Sequence, residues 1–144
     1  MRICFDMDGT IANLYGVDNW LAYLMAEDVK PYAEAKALLN LSALAKRLNK
    51  LQSEGNKLVV ISWLSKNGSA EYDEKVTKAK KAWLAKHLKS VTFDEVHIVR
   101  YGHNKDSFCY SADDVLFDDE EPNRNAWSGQ AYNVNNILEV LKTL

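Results

Sequence analysis

Short runs of consecutive apolar residues alternate along this chain with longer stretches in which apolar residues recur every three or four positions. Ile3 to Phe5 is the first such run. Lys57–Trp63, whose centre Leu58-Val59-Val60-Ile61 is unbroken, is the second. Phe93–Arg100, Asp114–Asp118 and Gln130–Val134 follow. Continuous apolar runs of this length fit strands buried on both faces. Between them, Leu38, Leu41, Ala45, Leu48 and Leu51 form a helical stripe that ends at Gly55, a natural C-terminal stop. Val76, Ala79, Trp83, Leu84 and Leu88 form a second stripe on a lysine-rich segment starting near Ser69, and Ile137, Leu138, Leu141 and Leu144 form a third. Short buried strands joined by helical crossovers predict an α/β fold: a parallel sheet of about five strands flanked by helices.

The connection from Ile11 to Asn56 is longer than one crossover helix needs. Its surplus, approximately residues 14–40, contains the apolar segment Trp20–Met25 and a break at Pro31, so it reads as short added helices. Because it follows the first strand, it is placed to stand over the strand ends as a small lid. With 144 residues, no internal repeat and no low-complexity linker, residues 1–144 read as one domain with a proper core. A formal net charge of -2 does not favour nucleic acid as the partner, although a small anionic substrate is compatible with it. Cys4 and Cys109 lie far apart without metal-ligand spacing, and Cys4 falls inside an apolar run. Asp6 and Asp8 interrupt the N-terminal apolar run before a signal sequence could form, and no run reaches the length of a membrane span. A cytoplasmic protein is the expectation.

In an open parallel sheet the ligand site lies beyond the carboxyl ends of the strands. Those ends here carry Asp6 and Asp8, then Ser62, then a loop with His103 and Lys105, then Asp118 and Asp119 followed by Glu120 and Glu121. Four carboxylates converging on one crevice cannot all stay ionised without cations. Lysine supplies one charge, and a divalent ion would supply the rest. Oxygen donors without a histidine or cysteine cluster favour Mg²⁺. With a serine and a lysine as a phosphate cradle, the chemistry suggested is phosphoryl transfer. An ionised aspartate would serve as nucleophile and a neighbouring one as acid and base.

Phe5-Asp6-Met7-Asp8-Gly9-Thr10 resembles the first motif of the haloacid dehalogenase superfamily, a hydrophobic strand followed by DxDGT. Ser62 after Leu58–Ile61 is similar to that family's second motif, Lys105 to its third, and Asp118-Asp119 after Val115–Phe117 to its acidic fourth. The resemblance implies a Rossmann-like sheet with the first strand central and a phosphatase, since the family's dehalogenases lack an aspartate at the position of Asp8. It assigns Asp6 as nucleophile and Mg²⁺ ligand. Asp8 would be acid/base and give its backbone carbonyl to the metal, Ser62 and Lys105 would bind phosphate, and Asp119 supported by Asp118 would complete the metal site. The stretch Asp118–Trp127 looks like the small nucleotidase and polynucleotide-phosphatase branches, although Glu120 stands where arginine is frequent there. A small phosphorylated substrate is implied, with a nucleotide or a nucleic-acid end among the candidates. Residues 14–40 would be a very reduced helical cap.

Other features have plainer readings. Lys80 and Lys81 on the preceding helix are alternative cations to Lys105. The lysines of that helix otherwise read as a solvated outer face. Of the three histidines only His103 falls near the site, where its candidate role is a substrate contact and not a metal ligand. Tyr15, Trp20 and Tyr23 either stack on a substrate ring or pack the lid onto the body. Two alternatives to a phosphatase share these residue types. One is a phosphate- or nucleotide-binding protein with little turnover; the other is a phospho-accepting receiver, which places its acidic pair early and not late.

Overall fold

In the computed structural model, which describes residues 1–144, the apolar runs become the strands of one sheet. Along the chain run β1 (Arg2–Phe5), β2 (Ala12–Asn13), α1 (Trp20–Met25), α2 (Lys30–Glu34), β3 (Lys36–Ala37), α3 (Leu41–Ser53), β4 (Lys57–Trp63), α4 (Ala70–His87), β5 (Glu95–Val99), β6 (Val115–Phe117), α5 (Glu121–Ala126), β7 (Gln130–Tyr132) and α6 (Ile137–Leu141). Short 3₁₀ turns occupy Leu14–Gly16, Lys105–Phe108 and Val134–Asn136. The five-stranded sheet has the order β5-β4-β1-β6-β7, and every pairing in it is parallel. This is a Rossmann-like α/β fold with β1 at its centre. Phe5 pairs with Val60 on one side and Phe117 on the other, so the ends of β1, β4 and β6 arrive at one edge.

The period-two alternation of the strands divides the core. Ile3, Phe5, Leu58, Val60, Val115 and Phe117 face a large cluster made with Leu44, Leu48, Leu51, Trp83, Leu84, Ile137 and Leu141 of α3, α4 and α6. Cys4, Val59, Ile61 and Leu116 point the other way and meet little more than Trp127, Phe108, Cys109 and Ala131. The two faces are therefore unequal. The sheet is flanked by helices as expected, but unequally, because the β5–β6 connection holds only the Lys105–Phe108 turn and no crossover helix. Cys4 is fully buried, and burial pushes its thiol up to about 12, which makes it an inert hydrophobe.

Helix boundaries follow local chemistry. Ser69 Oγ accepts from Tyr72 N at 3.1 Å at the start of α4, with Glu71 and Asp73 in the first turn and Lys86 and His87 in the last. Asn40 Oδ1 caps α3 by accepting from Ala43 N at 3.0 Å, which starts that helix after Leu38 and not at it. The insert between β1 and α3 is closed at its base by the antiparallel pair β2–β3 and folds as the Leu14–Gly16 turn, α1 and α2. It is tied to α4. Leu14 and Tyr32 pack on Tyr72 and Val76, Tyr72 Oη donates to the Asp28 carbonyl at 2.8 Å, and the Glu27 carboxylate accepts from Ser69 N and Oγ, both at 2.8 Å.

A polar layer covers the thinner face. Arg2 reaches across the sheet to form a two-pronged pair with Glu95, at 2.6 and 3.0 Å, and its Nε donates to the Phe108 carbonyl at 3.1 Å. Its guanidinium also lies 4.0 Å from the Tyr110 ring centroid. Glu95 bonds His97 at 2.7 Å, and the His97 ring stacks on Phe108. Hydrogen bonds from Arg2 and then His97 hold the Glu95 carboxyl down at about 2, from an ordinary 4.5. The pair therefore stabilises the fold above pH 4.5, and that contribution is lost as pH falls through about 2. Glu95→Gln is expected to cost about 1–2 kcal/mol at pH 7. Thermal melts should show its deficit against the parent shrinking between pH 4.5 and 2; a deficit independent of pH would sink the assignment.

Candidate active site

The strand β1 delivers Asp6 to the sheet edge, and the next six residues turn sharply. The Met7 carbonyl accepts from the amides of Thr10, Ile11 and Ala12, each at 3.0 Å. Gly9 sits at φ +79°, and a Cβ there would collide with the Asp119 carboxylate, so both the turn and the close approach require glycine. Thr10, itself buried, donates from Oγ1 to Asp6 Oδ2 at 3.0 Å and lies 3.4 Å from Asp119 Oδ1.

Lys105 holds the other Asp6 oxygen. Its Nζ donates to Asp6 Oδ1 at 2.9 Å and to Asp118 Oδ2 at 2.7 Å, and its side chain is almost fully buried. The Lys105–Phe108 turn that presents it is capped by Asn104, whose Oδ1 accepts from Asp106 N at 3.1 Å. Burial pulls the Lys105 ammonium down, but Asp6 and Asp118 outweigh it and leave the group raised. Asp118 is saturated: Oδ2 also accepts from Asn123 Nδ2 at 3.1 Å, and Oδ1 accepts from Glu120 N at 2.9 Å. Asp119 has far fewer partners and faces a cavity of about 390 Å³ together with Asp6, Asp8 and Lys105. Burial, then the Asp6 charge, push its acid up to about 8.

Asp8 meets a different lysine. Lys80, which is 1 % exposed, donates from Nζ to Asp8 Oδ2 at 2.8 Å, to Ser62 Oγ at 2.7 Å and to the Trp63 carbonyl at 2.6 Å. Three donors meet three acceptors, and the Tyr32 ring of the insert covers the ammonium at 5.0 Å. Burial raises the Asp8 acid and the Asp6 charge adds to that, against the pull of Lys80.

The residues singled out in the sequence thus separate into groups. Asp6, Asp8, Lys105 and Asp119 share the cavity wall. Asp118 stands behind, orienting Lys105. Ser62 is fully buried under Lys80 and does not line the cavity; Ser65 and Lys66, three and four residues on, do. The even residues of β4 face the helical core, which turns Ser62 toward α4. His103 is also outside the cavity lining, its ring bonded to Ser107 Oγ at 3.1 Å. Lys80 is no mere alternative to Lys105, since both enter. Its signal was present in the sequence: Val76, Lys80, Trp83 and Leu84 follow i, i+4, i+7 and i+8, so this lysine occupies a core position of α4.

Carboxylate oxygens of Asp6, Asp118 and Asp119 lie within 4.8 Å of one another. Clustered oxygen donors with no histidine or sulfur nearby suit a hard divalent cation such as Mg²⁺, and the Asp6 charge is the second cause, after burial, of the raised Asp119 acid. No helix is long and apolar enough to cross a membrane.

No protein-family model matches the sequence, and no curated protein matches it. Solved structures do match in shape. The chain is similar to one in the structure of a Pnkp1/Rnl/Hen1 complex, with a TM-score of 0.56 and 18 % identity over 92 % of this chain, and it spans 44 % of that longer chain. It is also similar to the D,D-heptose 1,7-bisphosphate phosphatase from Burkholderia thailandensis, with a TM-score of 0.53 and 17 % identity, covering 87 % of this chain and 70 % of that one. At such identities the likeness establishes the α/β Rossmann-like fold, one that a phosphatase of known structure shares.

Proposed function

We propose that the protein is a Mg²⁺-dependent phosphomonoester hydrolase of the haloacid dehalogenase type, working through a phosphorylated Asp6. One observation carries this reading most of the way: a buried aspartate at the end of the central strand, oriented by Lys105 and Thr10, opens onto a cavity beside a second aspartate. An Asp6 oxygen attacks phosphorus as the bond to the leaving oxygen breaks, and Asp8 donates the proton that the leaving group takes. A water molecule then attacks the phosphoaspartate, gives its proton to Asp8, and releases inorganic phosphate with Asp6 restored. Asp6 and Asp119, with Asp118 behind them and the Asp8 carbonyl that the resemblance adds, would hold a Mg²⁺, which would supply charge neutralisation for the phosphoryl oxygens. Lys105 offsets the negative charge of Asp6 and of the incoming phosphate. The elevated Asp8 acid suits a proton donor, because burial keeps its proton on further up the pH scale. Ser62, through its bond to Lys80, serves this reading by fixing Asp8; phosphate itself would meet the Ser65–Lys66 end of the β4 loop. The substrate is a small phosphorylated molecule, with a nucleotide or a nucleic-acid end in scope.

Asp6→Asn should lower Mg²⁺-dependent phosphate release from an aryl phosphate at pH 7 by at least about 10⁴-fold. Turnover at the parent rate would remove Asp6 as nucleophile. Asp119→Asn relieves the repulsion among three close carboxylates, so in EDTA its melting temperature should rise above the parent's. Addition of Mg²⁺ should then raise the parent's and leave the variant's unmoved; equal metal-induced shifts in both proteins would exclude Asp119 from the metal site. Lys80→Met strands Asp8, Ser62 and the Trp63 carbonyl without their donor. Urea denaturation should register a loss of about 3 kcal/mol or more. In protein still folded by circular dichroism, kcat should fall about 10–100-fold with KM nearly constant, and a change confined to KM would contradict a role in fixing Asp8.

A further inference from the structure

Beyond the carboxylates, two sets of aromatic residues line the cavity. On the body side, Trp63 ends β4 and Tyr101 follows β5; their ring centroids are 5.0 Å apart and the planes tilt by 59°. The Trp63 indole is fixed, because its Nε1 donates to the His103 carbonyl at 2.9 Å. Lys105 Nζ lies 5.3 Å from its ring, which puts this surface directly beside the group that orients Asp6. On the insert side, the Tyr15 ring stands over the Gly9 turn and meets Trp20 edge-on at 4.9 Å. Tyr23, by contrast, is absent from the lining and pairs with Lys30. The sequence left open whether these aromatics pack the insert down or face a ligand. The insert is already fastened by Leu14, Tyr32, Tyr72 and Val76, so Tyr15 and Trp20 are not needed for that.

The outer lining is apolar and open to water. Tyr15, Tyr101, Leu21 and Met25 are 47 %, 51 %, 54 % and 79 % exposed. Exposed apolar groups gathered around one cavity call for a partner that covers them. Ser65, Lys66, Glu120 and Asn123 add polar groups to the lining, but hydroxyls laid against the aromatic walls themselves would lose their hydrogen bonds with water. A flat ring would present its faces to those walls and stack on them. We propose that the cavity takes a phosphomonoester whose leaving group carries a flat aromatic ring, lying between the Trp63–Tyr101 surface and the Tyr15–Trp20 pair with its phosphate at Asp6. This rests on the phosphomonoesterase reading. It also favours a small molecule over a nucleic-acid end. Lys66 and Lys105 are the only cations in the lining, and Lys105 is already paired with Asp6 and Asp118, whereas a polynucleotide backbone needs several.

The test compares kcat/KM with Mg²⁺ for 5′-UMP, phenyl phosphate, glycerol 3-phosphate, glucose 6-phosphate and a 5′-phosphorylated oligonucleotide. A ring-bearing ester should exceed glycerol 3-phosphate by on the order of tenfold or more. The ratio of 5′-UMP to phenyl phosphate tells a nucleoside from a phenolic leaving group. Trp20→Leu, and independently Tyr101→Leu on the opposite wall, should each reduce the ring-over-glycerol preference by on the order of tenfold. Calorimetry of 5′-UMP and phenyl phosphate with the Asp6→Asn protein should show the favoured ester's affinity weakened to a similar degree when Trp20→Leu is added. Equal use of glycerol and ring esters, a preference untouched by both variants, or an oligonucleotide preferred to 5′-UMP would each overturn the proposal. If no ester is hydrolysed, the phosphomonoesterase reading falls instead. The calorimetry then decides the ring proposal by itself: tight binding that weakens with Trp20→Leu upholds it, and no binding of either ring ester overturns it.

Discussion

Lys105 joins Asp6 to Asp118, and both carboxylates and the ammonium are withdrawn from water. Two acids side by side in a protein interior repel each other and lose their hydration, so neither strand end could close against the other without a cation between them. That cation comes from a short turn in the β5–β6 connection, not from the sheet. A second buried lysine, Lys80 from α4, does the same for Asp8. The edge of the sheet is thus organised by two lysines, each donating to acceptors from different parts of the chain. Asp119, which has no lysine, is raised by burial and then by the Asp6 charge, and it faces the open side of the cluster.

This division separates the residues that hold lysines from those that face the cavity. Asp118 and Ser62 are spent on orienting lysines and have no surface in the cavity, while Asp6, Asp8 and Asp119 keep theirs. The insert extends the arrangement outward. Its α2 lays Tyr32 over Lys80, and its preceding turn and α1 bring Tyr15 and Trp20 to the cavity. One short segment therefore shields the Lys80 ammonium from water and builds one wall of the cavity. Because Glu27, Asp28 and Ala35 all hydrogen-bond to α4 or its cap, this wall stands ready formed.

Much of the fold was legible because strand and helix periods are local properties. The Lys57–Trp63 strand agrees with the observed one residue for residue; the outer strands are each shorter than their apolar runs, and at their C-terminal ends pairing stops where the neighbouring strand ends, at Trp63 and Phe117. The thin second face was not legible. Apolar alternation says that Cys4, Val59, Ile61 and Leu116 are buried, but not that a loop, Trp127 and the Arg2–Glu95–His97 layer would bury them. At the site, Asp6, Asp8, Lys105 and Asp119 fell where strand-end reasoning put them. Ser62 did not reach the cavity, since its direction depends on the β4 register and on a lysine eighteen residues later.

By itself the sequence determined the order of the main strands and helices and the aspartates at the carboxyl edge, because these follow from hydrophobic period and from the poor fit of acids inside strands, whereas the central place of the first strand was implied only by the family resemblance. Only the tertiary structure decided which lysine neutralises which acid, that Ser62 faces a helix and not a ligand, and that Tyr15 and Trp20 front a cavity while Tyr23 does not. Those outcomes depend on charge pairing and packing between residues far apart in the chain, and no local pattern encodes a distance of that kind.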